Sequence, residues 1–137
     1  MLSYAIILFS VAAVGGLYMA YRVLNGELAP WLLSLLHAVL GGTGLVLTAM
    51  AVMAGAGGPV IGPMTLITLL IAAMGGFWLA GIHMKKRVAG MGLVITHASV
   101  AATGLLLLIG MAFLFDAMTT GMTADPTKLK GAVQSDD

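Results

Sequence analysis

The chain has 137 residues, of which 61% are hydrophobic and 8% charged, with a formal net charge of +1 and no cysteine. So few charges cannot cover the surface of a water-soluble domain of this size, which places the chain in a lipid bilayer, and no basic stripe is available to follow a nucleic-acid backbone. Without cysteine there are no disulfides, thiolate zinc sites, iron–sulfur clusters, covalently attached haem or cysteine nucleophiles.

Four apolar stretches are each long enough to cross about 30 Å of hydrocarbon at about 1.5 Å per residue. The first, Ser3–Leu24, has no basic leader and the length of a span, so it reads as a retained helix and not a cleaved signal. Asn25, Gly26, Glu27 and Pro30 interrupt it, and Trp31 stands as an interfacial anchor at the head of the second stretch, Trp31–Ala54. Gly55, Gly57, Gly58, Pro59, Gly62 and Pro63 read as a Gly/Pro linker before the third stretch, Met64–His83. Met84–Lys85–Lys86–Arg87 forms the next turn, and Val88–Phe115 the fourth stretch. From about Ala117 the chain is polar and aperiodic, which predicts a mobile tail over 117–137. The expected fold is all-α: one transmembrane four-helix bundle over 1–116, built from two tandem helical hairpins.

Arg22, Lys85, Lys86 and Arg87 lie in the first and third turns, and the middle turn has no basic residue. The positive-inside tendency puts those turns in the cytoplasm and both termini outside, in what is expected to be a bacterial inner (cytoplasmic) membrane.

Shifting the chain by sixty residues brings its rare residues into register. Leu33, His37, Ala38, Thr43, Gly44, Leu45 and Leu47 meet Leu93, His97, Ala98, Thr103, Gly104, Leu105 and Leu107. Upstream, Ala12, Ala13, Gly15, Gly16 and Ala20 meet Ala72, Ala73, Gly75, Gly76 and Ala80. With only three histidines in the chain, a matched His37 and His97 suggest one site shared by repeats at about 1–60 and 61–116. Each repeat holds two spans, so both enter the membrane in one direction, related by a pseudo-twofold axis along its normal. Both histidines then lie about 9 Å inside the boundary marked by Trp31.

At about 100° per residue, Gly41 and Gly44 share a helical face with His37, and Gly104 shares one with His97. Gly15, Gly16, Gly75 and Gly76 reach the same depth on the first and third helices. Small residues on all four helices beside two imidazoles suit a flat macrocycle, and one haem b ligated by His37 and His97 meets these requirements. Such bis-histidine iron has no open position and favours electron transfer over oxygen chemistry. Arg22, His83, Lys85, Lys86 and Arg87 lie at the nearer boundary, where propionates would emerge.

Over Leu33–Thr48 and Leu93–Leu108 the chain resembles small four-helix membrane b-type cytochromes and cytochrome anchor subunits, through His37, Gly41, Gly44, His97 and Gly104. The likeness is architectural. It implies paired histidines clamping haem, with glycines leaving room for the ring. One matched pair, where many such anchors carry two, implies a single haem.

Alternatives remain open at this point. Gly16 with Ala20, and Gly76 with Ala80, also match the small-xxx-small packing pattern. Each imidazole could instead bond a backbone carbonyl, or contact another metal or a quinone. His83 could meet solvent or headgroups, and Met19 and Met91 are ligands only without the histidine pair. No Asp or Glu lies inside a span, which removes the carboxylate that proton-coupled carriers and the four-helix small multidrug transporters use. No independent catalytic activity is expected. The functional expectation is an electron-transfer subunit of a larger respiratory or photosynthetic membrane complex, with a cofactor-free accessory subunit as the alternative.

Overall fold

Four α-helices follow one another: α1 (Leu2–Leu24), α2 (Trp31–Met53), α3 (Gly58–Met84) and α4 (Met91–Met122). The structure, a computed structural model, describes residues 1–122, and side chains through residue 117. All four helices are long and apolar enough to cross a membrane. α1 packs most extensively on α2 and α3 on α4, with lighter α1–α4 and α2–α3 contacts closing the bundle.

Many large apolar side chains point outward, and much of the buried interior is Ala and Thr, unlike the interior of a soluble bundle. Along α1 the exposed stripe is Tyr4, Ile7, Val11, Val14, Tyr18 and Tyr21, while Ala5 and Ala12 are buried. The three- and four-residue spacing of that stripe covers one helical face. Small inward residues let backbones approach, which is how helices associate where lipid removes the hydrophobic drive between them.

The chain ends differ from expectation at two helices. α3 begins at Gly58, not Met64, and takes both Pro59 and Pro63 into the helix. Pro59 sits in the first turn, where no amide partner is required. Pro63 lacks an amide N–H and so removes one helical bond, and the neighbouring Gly62 N–H bonds Gly57 O, five residues back, at 3.2 Å. The middle turn thereby shrinks to Ala54–Gly57, with Gly57 at a left-handed φ of 76°. α4 begins at Met91, three residues after Val88, and continues to Met122; the rest of the expected tail lies outside the described residues.

The turns after α1 and α3 close alike. Gly26 N–H bonds Val23 O and Glu27 N–H bonds Arg22 O; Lys86 N–H bonds His83 O and Arg87 N–H bonds Ile82 O. These are the paired bonds of a Schellman helix end, which needs a left-handed residue at its centre. Gly26 fills that place at φ 79°, and Lys86 at φ 54°.

Burial concentrates toward the middle turn. Ala5, Leu108 and Met111 form the core there, with Leu2, Ile6, Phe9, Leu47 and Val52 packed against them. Thr48 and Thr65 are also fully buried, each turning its hydroxyl back to the carbonyl four residues earlier. Toward the two basic turns the buried apolar side chains are Ala12, Ala72 and Val94.

Candidate histidine-pair site

His37 on α2 and His97 on α4 come together inside that less crowded half, with ring centres 6.3 Å apart and planes at 71°. His37 Nδ1 lies 2.8 Å from Ala12 O on α1, and His97 Nδ1 lies 3.0 Å from Ala72 O on α3. A carbonyl oxygen only accepts, so in each bond Nδ1 carries the proton and donates. The neutral ring then keeps the Nε2 lone pair free for a ligand role. A backbone-carbonyl bond for each imidazole is an alternative to ligation that the sequence leaves open; the structure shows that bond and identifies the acceptors as Ala12 and Ala72, twenty-five residues before each histidine.

Glycines seat these rings. A Cβ on Gly16 would stand 3.0 Å from His37 Cε1, and one on Gly76 would stand 3.3 Å from His97 Cε1. Gly75 also faces His97, with its Nδ1 3.4 Å from where a Cβ would be, whereas Gly15 accommodates Leu33. Gly41 fronts open space. The room expected beside Gly44 and Gly104 is taken by side chains: Phe9 fills the first, with its ring 2.9 Å from a Cβ, and Leu69 the second, at 2.6 Å. In this structure those two glycines serve close packing of α1 on α2 and of α3 on α4.

The predicted cations gather at the end of the two basic turns, with different partners. Arg22 is ion-paired with Glu27, and its Nη1 donates to Tyr18 OH at 3.3 Å. His83 stacks on Trp31, centres 5.3 Å apart and planes within 2°. Lys85 and Arg87 line a small cleft with Ile82, Val88 and Gly90. Lys86 joins Trp31 and His83 in a second cleft. Of the fallback ligands, Met19 sulfur already receives Ser34 Oγ at 3.3 Å, and Met91 is exposed.

Chemically the pair offers two imidazole lone pairs and nothing more. Among the described residues no third His, Asp or Glu joins them as a metal-holding group. A bare zinc ion takes four ligands, usually at least three of them from protein, so the donor set falls short for it. Iron whose equatorial positions are filled by a macrocycle asks the protein for two axial ligands, and two imidazoles satisfy it. Comparison with family models, with curated proteins and with solved structures returns no match.

Proposed function

We propose that the chain is an integral-membrane electron-transfer subunit that holds one b-type haem between His37 and His97, within a larger respiratory or photosynthetic complex. The observation that carries this reading is the pair itself: two imidazoles from different helices at 6.3 Å, each with Nδ1 committed to a backbone carbonyl. That bond fixes the tautomer and ring orientation and raises the basicity of the other nitrogen, as outer partners of metal-binding histidines do. A histidine placed only for packing needs one such bond; two meeting across the bundle interior are better explained by a shared ligand. His37 and His97 would hold the haem, which would supply one-electron transfer there.

The protein's own residues do the rest. Ala12 and Ala72 orient the rings, Gly16, Gly75 and Gly76 admit them, and Phe9 and Leu69 close the core beyond. Lys85 and Arg87 supply positive charge at the nearer end, where haem carboxylates would be balanced. The two halves act as tandem hairpins about a pseudo-twofold axis. Matching Schellman turns, matching imidazole bonds and the Phe9–Gly44 and Leu69–Gly104 contacts support that relation. The basic turns are cytoplasmic and the termini extracytoplasmic, following the charge bias of the loops.

The test is a reduced-minus-oxidised spectrum of membranes holding the wild type, single alanine variants and the double variant, with protein abundance measured in parallel. His37→Ala with His97→Ala should abolish a low-spin six-coordinate spectrum, while His83→Ala keeps it. A normal low-spin spectrum in a folded double variant removes the bis-histidine assignment. A blank spectrum from haem-replete cells favours a cofactor-free accessory subunit.

A further inference from the structure

Between the two basic turns, Leu28, Ala29, Trp31, His83, Met84 and Lys86 enclose a cleft of about 530 Å³. Three features distinguish it from a chance gap. Its wall holds Trp31 and His83 in near-parallel contact, an arrangement that fixes two rings which would otherwise turn freely. Lys86 stands in its wall although its backbone occupies the left-handed region, where glycine would be unstrained and does occupy the equivalent place after α1. The charge around it is also unbalanced. Among the described residues the one ion pair at this end joins Arg22 to Glu27, and no carboxylate lies within 4 Å of Lys85, Lys86 or Arg87.

The cleft is one-sided. Sixty residues from Trp31 and His83 stand Met91 and Val23, so the corresponding edge between α4 and α1 lacks both rings. A cationic, hydrogen-bonding rim over an apolar floor, at the end of membrane-length helices, calls for an amphiphile with a negative head. We infer that this cleft binds an anionic phospholipid, with the phosphate on Lys86 and His83 and an acyl chain along Leu28, Ala29 and Met84. The site is separate from the histidine pair: Trp31 begins α2 and His37 lies about 9 Å further along it.

Native mass spectrometry of the full chain, released from detergent after incubation with phosphatidylglycerol or phosphatidylcholine, tests the inference. Peaks with and without a haem-mass adduct are read separately, so failure of the haem assignment leaves the result interpretable. One phosphatidylglycerol should survive activation that strips phosphatidylcholine. Lys86→Gly should reduce its retention to the phosphatidylcholine level, and this variant relieves backbone strain, so loss of fold does not confuse the outcome. Lys85→Ala removes the same charge outside the cleft and should keep the lipid. Equal retention of the two lipids, or equal loss in the two lysine variants, overturns a specific site in favour of diffuse surface charge. Equal binding of glycerol 3-phosphate, which has the head without the chains, overturns the lipid assignment in favour of a free-phosphate site.

Discussion

Around the middle turn the bundle closes on Ala5, Thr48, Thr65, Leu108 and Met111, all 0% exposed, whereas around the two basic turns the buried side chains reduce to Ala12, Ala72 and Val94. Both halves use glycine to bring helices together, but what enters the vacated space differs. In the first half it is apolar: Phe9 against Gly44, Leu69 against Gly104 and Met111 against Gly57. In the second it is mainly imidazole, His37 against Gly16 and His97 against Gly75 and Gly76, with Leu33 beside Gly15. At the imidazole end each ring has Nδ1 bonded to a backbone carbonyl, so the contacts there are partly polar, whereas those at the middle turn are apolar. On the proposed reading the two halves differ in role: the middle-turn end, with the fully buried side chains, holds the fold, and the imidazole end would hold the ligand.

The same small change made in each half should separate these roles, and the largest effect belongs to Gly62→Ala. A Cβ there would stand 2.5 Å from the carbonyl oxygen of Ala56, a backbone atom that cannot swing aside like a side-chain tip. The first turn of α3 has already lost a helical bond at Pro63, so a shift there disturbs a segment with few bonds in reserve. The expected loss is at least about 1–3 kcal/mol, read as a lower unfolding midpoint in detergent and lower membrane abundance. Wild-type stability in Gly62→Ala would show that the middle turn does not anchor the bundle.

Gly16→Ala and Gly76→Ala should do the opposite. Their Cβ atoms would meet imidazole carbons at 3.0 and 3.3 Å, contacts that a ring relieves by tilting a few tenths of an ångström. The unfolding midpoint should move by less than about 1 kcal/mol in equivalent free energy, within the range of mild overpacking. The tilt also lengthens the bond from Nδ1 to Ala12 or Ala72, so if the pair holds haem as proposed, the change should register in its occupancy or band position. A midpoint loss as large as that of Gly62→Ala, with an unchanged spectrum, would erase the distinction between the halves.

The sequence announced the four apolar helices and the paired histidines, because hydropathy over twenty residues and a rare residue repeated at fixed offset are strong local signals. It misplaced the start of α3 because Gly and Pro were read as breakers. In fact Pro59 needs no amide partner in a first turn, and Gly62, with no Cβ, lets the Ala56 carbonyl approach while its N–H bonds Gly57 O. It also assigned Gly44 and Gly104 to a ligand slot from helical face alone. Face tells which way a glycine points but not what the neighbouring helix sends to meet it, and that depends on the register of α1 on α2 and of α3 on α4. Trp31 was legible as an interfacial residue; its stacking on His83 depends on how α2 sits beside α3, which no local pattern encodes.

The smallest expected effect lies at the two Schellman turns and has the opposite sign. Lys86 holds φ 54° where Gly26 holds φ 79° in the turn after α1. A side chain in the left-handed region costs roughly 1–2 kcal/mol, part of which glycine returns through the greater freedom it gives the unfolded chain. Lys86→Gly should accordingly stabilise the protein by up to about 1 kcal/mol in neutral detergent. Gly26→Lys should destabilise it by a comparable amount. The pair of variants compares like with like, since both turns keep the same two backbone bonds. If phosphatidylglycerol occupies the cleft, adding it should raise the wild-type midpoint and leave Lys86→Gly unmoved, narrowing or reversing the difference between them. A strained lysine is then retained for what it binds. Should Lys86→Gly lower the midpoint in neutral detergent, the lysine side chain is part of the fold, and the two turns differ in packing and not in ligand.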